Sequence, residues 1–319
     1  MNTTPAPAFL SCDAGGTRIK LGVVRSGRLL ARAEIPAQAG DGLGPALDRL
    51  IRAARRCCRE AGIDLREVQG FGLAFPGIIE PGTERILSTP AGKFDDAPRL
   101  GLPGSLADRL SLPVRLCNDA NAALAGEWAF GAARGTRSAV MMTLGTGIGT
   151  SAIIDGVPLR GQHGQAGCLG GHWTAQVGGA TCPCGNVGCA ETLASTWALP
   201  RHARAAEGFN TSALAHTRVL DYAAVFHAAS QGDRLARQLR DHAVAVWAST
   251  LVSLIHAYDP ECVVLGGGIM RSRAFVLPRI RRHVAQHAWT PWGRPKVRAA
   301  RLGDDAALLG MASLFPTAA

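Results

Sequence analysis

The residue types and spacing between His172 and Glu191 point to a bound metal ion. The segment HWTAQVGGATCPCGNVGCAE places His172, Cys182, Cys184 and Cys189 in the order His-x9-Cys-x-Cys-x4-Cys, and Glu191 follows two residues later. Three thiolates and one imidazole form a closed tetrahedral zinc site with no position left for water, which predicts a structural ion. The alternative is a set of scattered buried or redox-active cysteines. A structural ion would rigidify a loop that delivers Glu191 and His172 to a neighbouring site.

Two short turns are rich in glycine and threonine. Residues 13–17 read DAGGT and residues 144–149 read LGTGIG. Glycine lets the backbone approach phosphate oxygens closely, and the amides with a threonine hydroxyl donate hydrogen bonds to them. Neither turn matches the Gly-x4-Gly-Lys-Ser/Thr pattern of a P-loop, and each alone is also typical of an ordinary hairpin turn. Together, one in each half of the chain, they indicate a nucleoside triphosphate held between two domains.

A third glycine run, Gly266-Gly267-Gly268, follows the apolar segment CVVL. At the end of a buried strand it would admit the base or ribose of a nucleotide at close range. Three glycines in a row are also a common loop, so this run indicates a nucleotide site only in combination with the two glycine turns.

The pair Asn118-Asp119 is the candidate catalytic element. It follows a predicted strand at 113–117 and begins a predicted helix at 120–131. A carboxylate at that junction can take the proton of an attacking hydroxyl. Asn and Asp are also preferred helix N-caps, which is the plainer interpretation of the pair in isolation. The neighbouring phosphate-binding patterns favour catalysis.

The hydrophobic patterning predicts two related α/β domains. Each half opens with a β-hairpin around a glycine turn, a weak internal duplication. The hairpins are expected at 8–13 with 19–24 and at 139–144 with 150–154, further strands at 70–75 and 262–265, and helices at 44–60, 244–258 and 305–314. We expect an N-terminal domain of residues 1–118 completed by 303–319, and a larger C-terminal domain of residues 119–302 with the metal loop.

Composition describes an ordinary globular protein. The chain has 319 residues, 47% of them hydrophobic and 18% charged. The start, MNTTPAPAFLSCD, lacks a basic region followed by an apolar one, and no apolar run has membrane-spanning length. Nine cysteines without a secretion signal suggest reduced thiols. We therefore expect a cytoplasmic protein with no membrane partner.

The formal net charge of +10 raises the question of nucleic-acid binding. The basic residues are spread along the chain, and nearly all are arginine; only Lys20, Lys93 and Lys296 are lysines. The densest cluster, at 279–282, is typical of the solvated side of a helix. We therefore expect no nucleic-acid partner.

The ordered set DAGGT, FPGI, NDANAA, TLGTGIG, GH-x9-CPCGNVGCAE and VVLGGGI resembles the ROK family (repressor, open reading frame, kinase) over nearly the whole chain. The resemblance implies an actin-like ATPase fold, with two ribonuclease-H-like domains around a cleft. It also implies an ATP-dependent kinase, glucokinase-like or N-acetylhexosamine-kinase-like, that uses Mg²⁺ with ATP and mostly phosphorylates a sugar 6-hydroxyl. Members commonly form dimers, so a homodimer is expected.

The resemblance also assigns roles to single positions. Asp119 would be the general base, and His172 would both ligate zinc and lie next to the sugar. The other implied sugar contacts are Asn118, Glu191 and Gly77 of the FPGI motif. Gly15, Gly16 and Thr17 would form the first phosphate turn, Thr146 and Gly147 the second, Asp13 would lie near magnesium, and Gly266, Gly267 and Gly268 would receive adenosine.

Two departures from the family pattern concern the sugar. Three residues before the zinc histidine most family kinases carry a sugar-binding glutamate, and here Leu169 takes that position. After Pro90 the chain reads AGKFDD without the usual asparagine, which makes Lys93 and Asp95 charged candidates for that edge of the sugar pocket. Because such sites recognise hydroxyls through buried hydrogen bonds, these changes leave the identity of the sugar open.

Three functions remain in view. The leading one is an ATP-dependent sugar kinase with Asp119 as base. A sugar-responsive repressor would carry a helix-turn-helix before the first phosphate motif, and Asp13 stands almost at the start of this sequence, so we expect no DNA-binding domain. The third is a non-catalytic sugar sensor, which Leu169 favours.

Overall fold

The computed structural model describes residues 6–315; residues 1–5 and 316–319, the two ends of the expected N-terminal domain, lie outside this range. The strands are β1 (Ala8–Ala14), β2 (Arg18–Arg25), β3 (Arg28–Pro36), β4 (Val68–Phe75), β5 (Ile78–Ile79), β6 (Ile86–Ser88), β7 (Val114–Asn118), β8 (Ala139–Leu144), β9 (Ile148–Ile154), β10 (Val157–Pro158), β11 (Cys262–Gly266) and β12 (Lys296–Ala299). The helices are α1 (Gly44–Glu60), α2 (Leu102–Leu110), α3 (Asp119–Phe130), α4 (Ala190–Ala194), α5 (Leu199–Ala205), α6 (Tyr222–Ser230), α7 (Arg234–Tyr258), α8 (Arg273–His287) and α9 (Ala306–Ser313). No helix within residues 6–315 is long and apolar enough to cross a membrane.

The chain divides into two units. The first contains Met1–Gly135, Val157–Ala166 and Arg301–Ala319, and the second contains Thr136–Gly156 and Gly167–Ala300. The change of unit falls after Gly135, whereas the expected boundary followed Asn118. The difference has a physical cause: α3 packs against α9, so both helices belong to the first unit. The C-terminal segment from Arg301 belongs to the first unit.

A mixed five-stranded sheet forms the centre of the first unit, in the order β3-β2-β1-β4-β7. β2 runs antiparallel to β1 and β3, while β4 runs parallel to β1 and β7 parallel to β4. The central strands β1 and β4 are buried almost throughout, because α1 and α9 both pack against strands of this sheet. The apolar face of α1, with Leu47, Leu50 and Ile51, is buried as its helical spacing predicts.

Helices α3 and α9 cross at two glycines. A Cβ on Gly126 would lie 2.1 Å from the carbonyl oxygen of Ala306, and one on Gly310 would lie 1.8 Å from that of Ala122. The fully buried Glu127 adds a polar link, because its Oε1 accepts hydrogen bonds from the backbone N–H groups of Arg301 and Leu302, each at 2.8 Å. These contacts fix α3, the helix that begins with Asp119.

The second unit repeats the strand pattern of the first. Its strands follow the order β9-β8-β11-β12, with β9 antiparallel to β8, and with β11 parallel to both β8 and β12. The first unit has the same order and directions in β2-β1-β4-β7. This repetition agrees with the two related α/β domains that the paired hairpins predict. The long helix α7 buries Trp247, Leu251 and Leu254 against this unit's core.

Candidate active site

Asp119 lies where β7 ends and α3 begins. It is the first residue of α3, half-buried, and its Oδ1 accepts a hydrogen bond from the N–H of Ala120 at 2.8 Å. The N-cap itself is Asn118, whose Oδ1 accepts from the N–H groups of Ala120 at 3.0 Å and Asn121 at 3.2 Å. The N-cap interpretation of the pair therefore applies to Asn118. Asp119 uses only Oδ1 in the hydrogen bond to Ala120, so its Oδ2 can accept a proton.

Asn118 and Gly77 hold each other in place. The side-chain Nδ2 of Asn118 donates to the carbonyl oxygen of Gly77 at 3.0 Å, in addition to the two bonds that Oδ1 accepts. Asn118 is only 9% exposed. Its amide therefore fixes the junction of β7 and α3 to the turn after β4, and the second Nδ2 proton can donate to a further acceptor.

The pKa of Asp119 is raised from its usual 3.8 to about 6. Burial is the largest cause, and the negative charge of Asp13 acts in the same direction. The hydrogen bond from Ala120 and the positive charge of Lys93 lower the pKa and oppose this shift. A carboxylate tuned toward neutral pH is suited to general-base catalysis.

A small charge network surrounds Asp13 at the end of β1. Asp13 and Lys20 face each other in the β1–β2 register, and Lys20 Nζ lies 3.5 Å from Asp13 Oδ2 and 3.4 Å from Asp304 Oδ1. Burial raises the pKa of Asp13, although Lys20 opposes the shift, and the positive charge of Lys20 lowers the pKa of Asp304. Sequence reasoning missed Lys20 and Asp304, which are brought together across 284 positions.

The first glycine turn connects β1 and β2. The N–H of Gly15 donates to the carbonyl oxygen of Asp13 at 3.2 Å, and the carbonyl oxygen of Thr17 accepts from Ala37 at 3.0 Å. Among the described residues, the N–H groups of Gly16 and Thr17 donate to no protein acceptor, and Thr17 is exposed. Two neighbouring free N–H groups in a glycine turn can receive phosphate oxygens.

Glu191 is bonded to the second glycine turn. Its Oε2 accepts from the N–H of Ile148 at 2.7 Å and packs on Gly147, where a Cβ would lie 2.5 Å from it. Its Oε1 accepts from Trp197 Nε1 at 3.0 Å, and the N–H of Trp197 donates to the carbonyl oxygen of Thr146 at 3.1 Å. Glu191 and Trp197 together clamp the turn between β8 and β9. Sequence reasoning missed Trp197.

The three-glycine run also reaches this turn. Gly267 has φ +88°, and a Cβ there would lie 2.2 Å from the carbonyl oxygen of Leu144, the residue before Gly145. Only glycine fits this close approach. Gly268 differs, because a Cβ there would meet nothing within 4 Å. Gly268 therefore borders open space in the second unit, where a ligand can approach the backbone.

The four predicted metal ligands meet in the second unit. His172, Cys182, Cys184 and Cys189 each place one ligand atom within 4.8 Å of the others. The Nδ1 atom of His172 lies 3.5 Å from Cys182 Sγ, and Cys184 Sγ lies 3.7 Å from Cys189 Sγ. Asn186 Nδ2 steadies the loop by donating to the carbonyl oxygen of His172 at 2.9 Å.

These distances fit a tetrahedral ion. Zn–S bonds of about 2.3 Å and Zn–N bonds of about 2.0 Å, at tetrahedral angles, separate two sulfurs by about 3.8 Å and a sulfur from a nitrogen by about 3.5 Å. The observed 3.7 Å and 3.5 Å match these separations. A disulfide would need a separation of about 2.05 Å, so the cysteines are not paired with one another. With Nδ1 facing the thiols, Nε2 of His172 remains for a hydrogen bond to another group.

Comparison with known proteins gives matches over nearly the whole chain. The family model described as ROK family matches residues 9–318. A glucokinase of Thermotoga maritima is 33% identical over 320 residues, which cover 98% of each chain.

Two solved structures extend the similarity to three dimensions. A ROK hexokinase from Thermus thermophilus is 35% identical with a TM-score of 0.77, over 96% of this chain and 97% of that chain. A ROK family glucokinase from Streptomyces griseus, in complex with glucose and AMPPNP, is 30% identical with a TM-score of 0.81, over 96% of this chain and 98% of that chain.

Proposed function

Because the chain belongs to the ROK family, we propose that it is an ATP-dependent sugar kinase that transfers the γ-phosphate of ATP to the 6-hydroxyl of a hexose or hexose derivative. The single observation that carries this proposal is Asp119, a carboxylate with a pKa of about 6 at the first residue of α3, in the same unit as a glycine turn with free N–H groups. The glucose and AMPPNP bound to the similar Streptomyces griseus glucokinase support the same substrates.

Asp119 acts as the general base. Its free carboxylate oxygen accepts the proton of the attacking hydroxyl while the hydroxyl oxygen bonds to the γ-phosphorus. The bond from the γ-phosphorus to the bridging oxygen breaks, and its electron pair leaves with ADP. Asn118 supports this role by fixing the start of α3, since its side chain bonds both the helix N-terminus and Gly77.

The glycine turns bind the phosphates of ATP. Gly15, Gly16 and Thr17 of the first unit donate backbone and hydroxyl hydrogen bonds to phosphate oxygens, and Thr146 and Gly147 of the second unit offer donors of the same kind. Magnesium bound with ATP would supply positive charge to the phosphate oxygens, and the carboxylate of Asp13 would hold it. Adenosine lies against Gly266, Gly267 and Gly268, where Gly268 borders open space.

The metal loop supports the sugar side. We propose that His172, Cys182, Cys184 and Cys189 hold a structural zinc ion, because the donor set and its separations fit that ion. With the ion bound, the ring of His172 would be held with Nε2 as a donor for a sugar hydroxyl, and Cys189 would be anchored two residues before Glu191. Each carboxylate oxygen of Glu191 already accepts one hydrogen bond. The remaining lone pairs on both oxygens can accept hydrogen bonds from sugar hydroxyls.

A non-catalytic sugar sensor is the second candidate. The observation that favours it is Leu169, an apolar residue where most family kinases carry a sugar-binding glutamate. Such a sensor would keep ATP and sugar binding without transfer. Family membership is the basis for our proposal of a homodimer. The expectations of a cytoplasmic protein and of no nucleic-acid partner rest instead on the composition and on the spread of the basic residues along the chain.

A coupled ADP-release assay separates the two candidates. ATP and magnesium would be offered with a panel of hexoses, N-acetylhexosamines and their derivatives, to the wild type and to Asp119→Asn. Turnover on a sugar, lost in the variant, establishes the kinase and names its substrate. Binding of ATP and sugar by calorimetry without turnover on any member of the panel rejects the kinase and supports the sensor.

A further inference from the structure

Lysine is rare in this chain, and its positions are informative. The sequence has 34 lysines and arginines, of which only Lys20, Lys93 and Lys296 are lysines. Two of these three lie beside the first glycine turn: Lys20 contacts Asp13, and Lys93 contacts Gly16. An ammonium is a compact point charge, whereas the guanidinium of arginine is broad and planar. Lysine binds phosphate as a point charge, so an ammonium beside a glycine turn can act together with the backbone donors of that turn.

The side chain of Lys93 passes directly over the turn. A Cβ built on Gly16 would lie 3.1 Å from Cδ, 3.2 Å from Cε and 3.3 Å from Nζ of Lys93. The ammonium is therefore a neighbour of the Gly16 backbone, whose N–H group is free within the described part of the chain. A donor amide and a cation at the same place are two elements of a phosphate site.

The two lysines differ in their partners. Lys20 lies between two carboxylates, those of Asp13 and Asp304, so its charge is largely neutralised within the protein. Within residues 6–315, no carboxylate lies within 4.0 Å of Lys93 Nζ, and the side chain is half-buried. Lys93 therefore has a positive charge available for a ligand.

The backbone around Lys93 is held firmly. The N–H of Lys93 closes a turn on the carbonyl oxygen of Pro90 at 3.0 Å, and the N–H of Phe94 donates to Ala39 at 2.8 Å. Phe94 is fully buried, its ring lies 5.4 Å from that of Phe75, and its φ of +56° is uncommon for a bulky residue. These contacts fix the position from which the Lys93 side chain extends.

Lys93 also lies within electrostatic range of the base. Its charge lowers the pKa of Asp119, whereas that of Asp13 raises it. The ammonium is thus near both the turn that receives phosphate and the carboxylate that receives the hydroxyl proton. In a kinase the γ-phosphoryl group moves from the nucleotide, held at the phosphate-binding turn, to the hydroxyl that the base deprotonates.

We propose that Lys93 is a further catalytic residue, whose ammonium binds the γ-phosphate of ATP and stabilises the negative charge on its oxygens during transfer. This inference rests on the proposed function and replaces the expectation that Lys93 borders the sugar. In the step, the hydroxyl oxygen bonds to the γ-phosphorus and its proton goes to Asp119. The bond to the bridging oxygen breaks, and the electron pair stays on ADP. Throughout the step the ammonium of Lys93 donates hydrogen bonds to the transferred group.

The test compares Lys93→Met and Lys93→Arg with a matched control, Lys296→Met. Methionine keeps the length of the stem and removes the charge, and Lys296 is an exposed lysine on β12 of the other unit. For Lys93→Met we expect kcat to fall by about 10²–10³-fold, the range for loss of one transition-state donor, with the KM for sugar within about twofold of the wild type. Lys93→Arg should recover only part of the loss, and Lys296→Met should behave as the wild type.

A pH profile distinguishes catalysis from a general structural effect. Removing the cation that lowers the pKa of Asp119 should shift the acid limb of kcat/KM for Lys93→Met to higher pH. If the kcat and the acid limb of Lys93→Met both match those of the wild type, the inference is overturned, whereas the kinase function stands. A raised KM for sugar with unchanged kcat would also overturn it, because Lys93 would then belong to the sugar pocket.

Failure of the proposed function has its own signature. If the wild type transfers phosphate to no sugar, the kinase is rejected, and nucleotide binding decides the question of Lys93. A ligand of the γ-phosphate should weaken the Kd of Lys93→Met for MgATP by about tenfold while the Kd for MgADP stays within about twofold. Equal MgATP affinity of Lys93→Met and the wild type overturns the assignment of Lys93 to the γ-phosphate.

Discussion

Replacing Asp119 by asparagine should abolish activity and, at the same time, stabilise the folded chain at neutral pH. Burial, with Asp13 acting in the same direction, raises the pKa of Asp119 from its usual 3.8 to about 6. A carboxyl whose folded pKa exceeds its unfolded pKa costs stability wherever it is ionised in both states, which is above the folded pKa. The cost decreases as the pH falls through about 6 and vanishes below the unfolded pKa.

The size of the effect follows from that difference in pKa. About two pH units at 1.36 kcal/mol each set a ceiling of about 3 kcal/mol above pH 6. Because Asp119 is only half-buried, solvent screening reduces the expected gain to about 1–2 kcal/mol. For units of this size that gain corresponds to a Tm higher by about 2–8 °C at pH 8. At pH 4.5 about a third of the gain should remain.

Thermal unfolding of the wild type and Asp119→Asn at pH 8 and pH 4.5 measures this directly. Asp304→Asn is the matched control, because the positive charge of Lys20 lowers the pKa of Asp304 and stabilises its ionised form. The control should therefore lower the Tm at pH 8, where the stabilised carboxylate is fully ionised. The reasoning is refuted if Asp119→Asn is no more stable than the wild type at pH 8, or if its gain is the same at both pH values.

Three further predictions concern the base, the glycine run and the metal loop. Because Asp119 must be ionised to accept a proton, kcat/KM should fall about tenfold per pH unit below pH 6 and level off above it; a pH–rate profile without this acid limb contradicts the assignment. Gly268→Ala should keep the wild-type Tm and raise the KM for ATP, whereas Gly267→Ala should lower the Tm, since its Cβ would lie 2.2 Å from the carbonyl oxygen of Leu144; equal Tm values for the two variants argue against this difference in packing. Cys184→Ser should lose about one bound metal ion per chain and unfold at lower temperature, as should the wild type after chelation; elemental analysis with unchanged metal content would reject the ligand set.

Much of the fold could be predicted from local pattern. The first hairpin and helix α1 appear where apolar alternation and helical spacing mark them. The sequence pattern predicts helix α7 only from residue 244, whereas the helix begins at Arg234. Its first ten residues escape the prediction because they carry many polar side chains and no continuous apolar stripe. Strand β3 was missed, since small alanines alternate there with charged residues and give a weak signal.

The metal cluster and the charge network differ in how far a sequence can predict them. The cluster could be predicted, because its four ligands lie within 18 consecutive residues and their spacing already encodes a tetrahedral site. The ion pair of Lys20 with Asp304 and the contact of Lys93 with Gly16 join distant segments, so they depend on how the strands and loops pack. The hydrogen bonds of Glu191 to the second glycine turn were missed for the same reason, although the residue itself was singled out.

The central claim is tested most directly by ³¹P NMR of the products formed from ATP, magnesium and each sugar of the panel, with the wild type and Asp119→Asn in parallel. The account predicts one sugar phosphomonoester for each ADP, its phosphorus coupled to the two protons on carbon 6, formed by the wild type and not by the variant. ADP accompanied only by inorganic phosphate, or the same ester formed equally fast by Asp119→Asn, would contradict it.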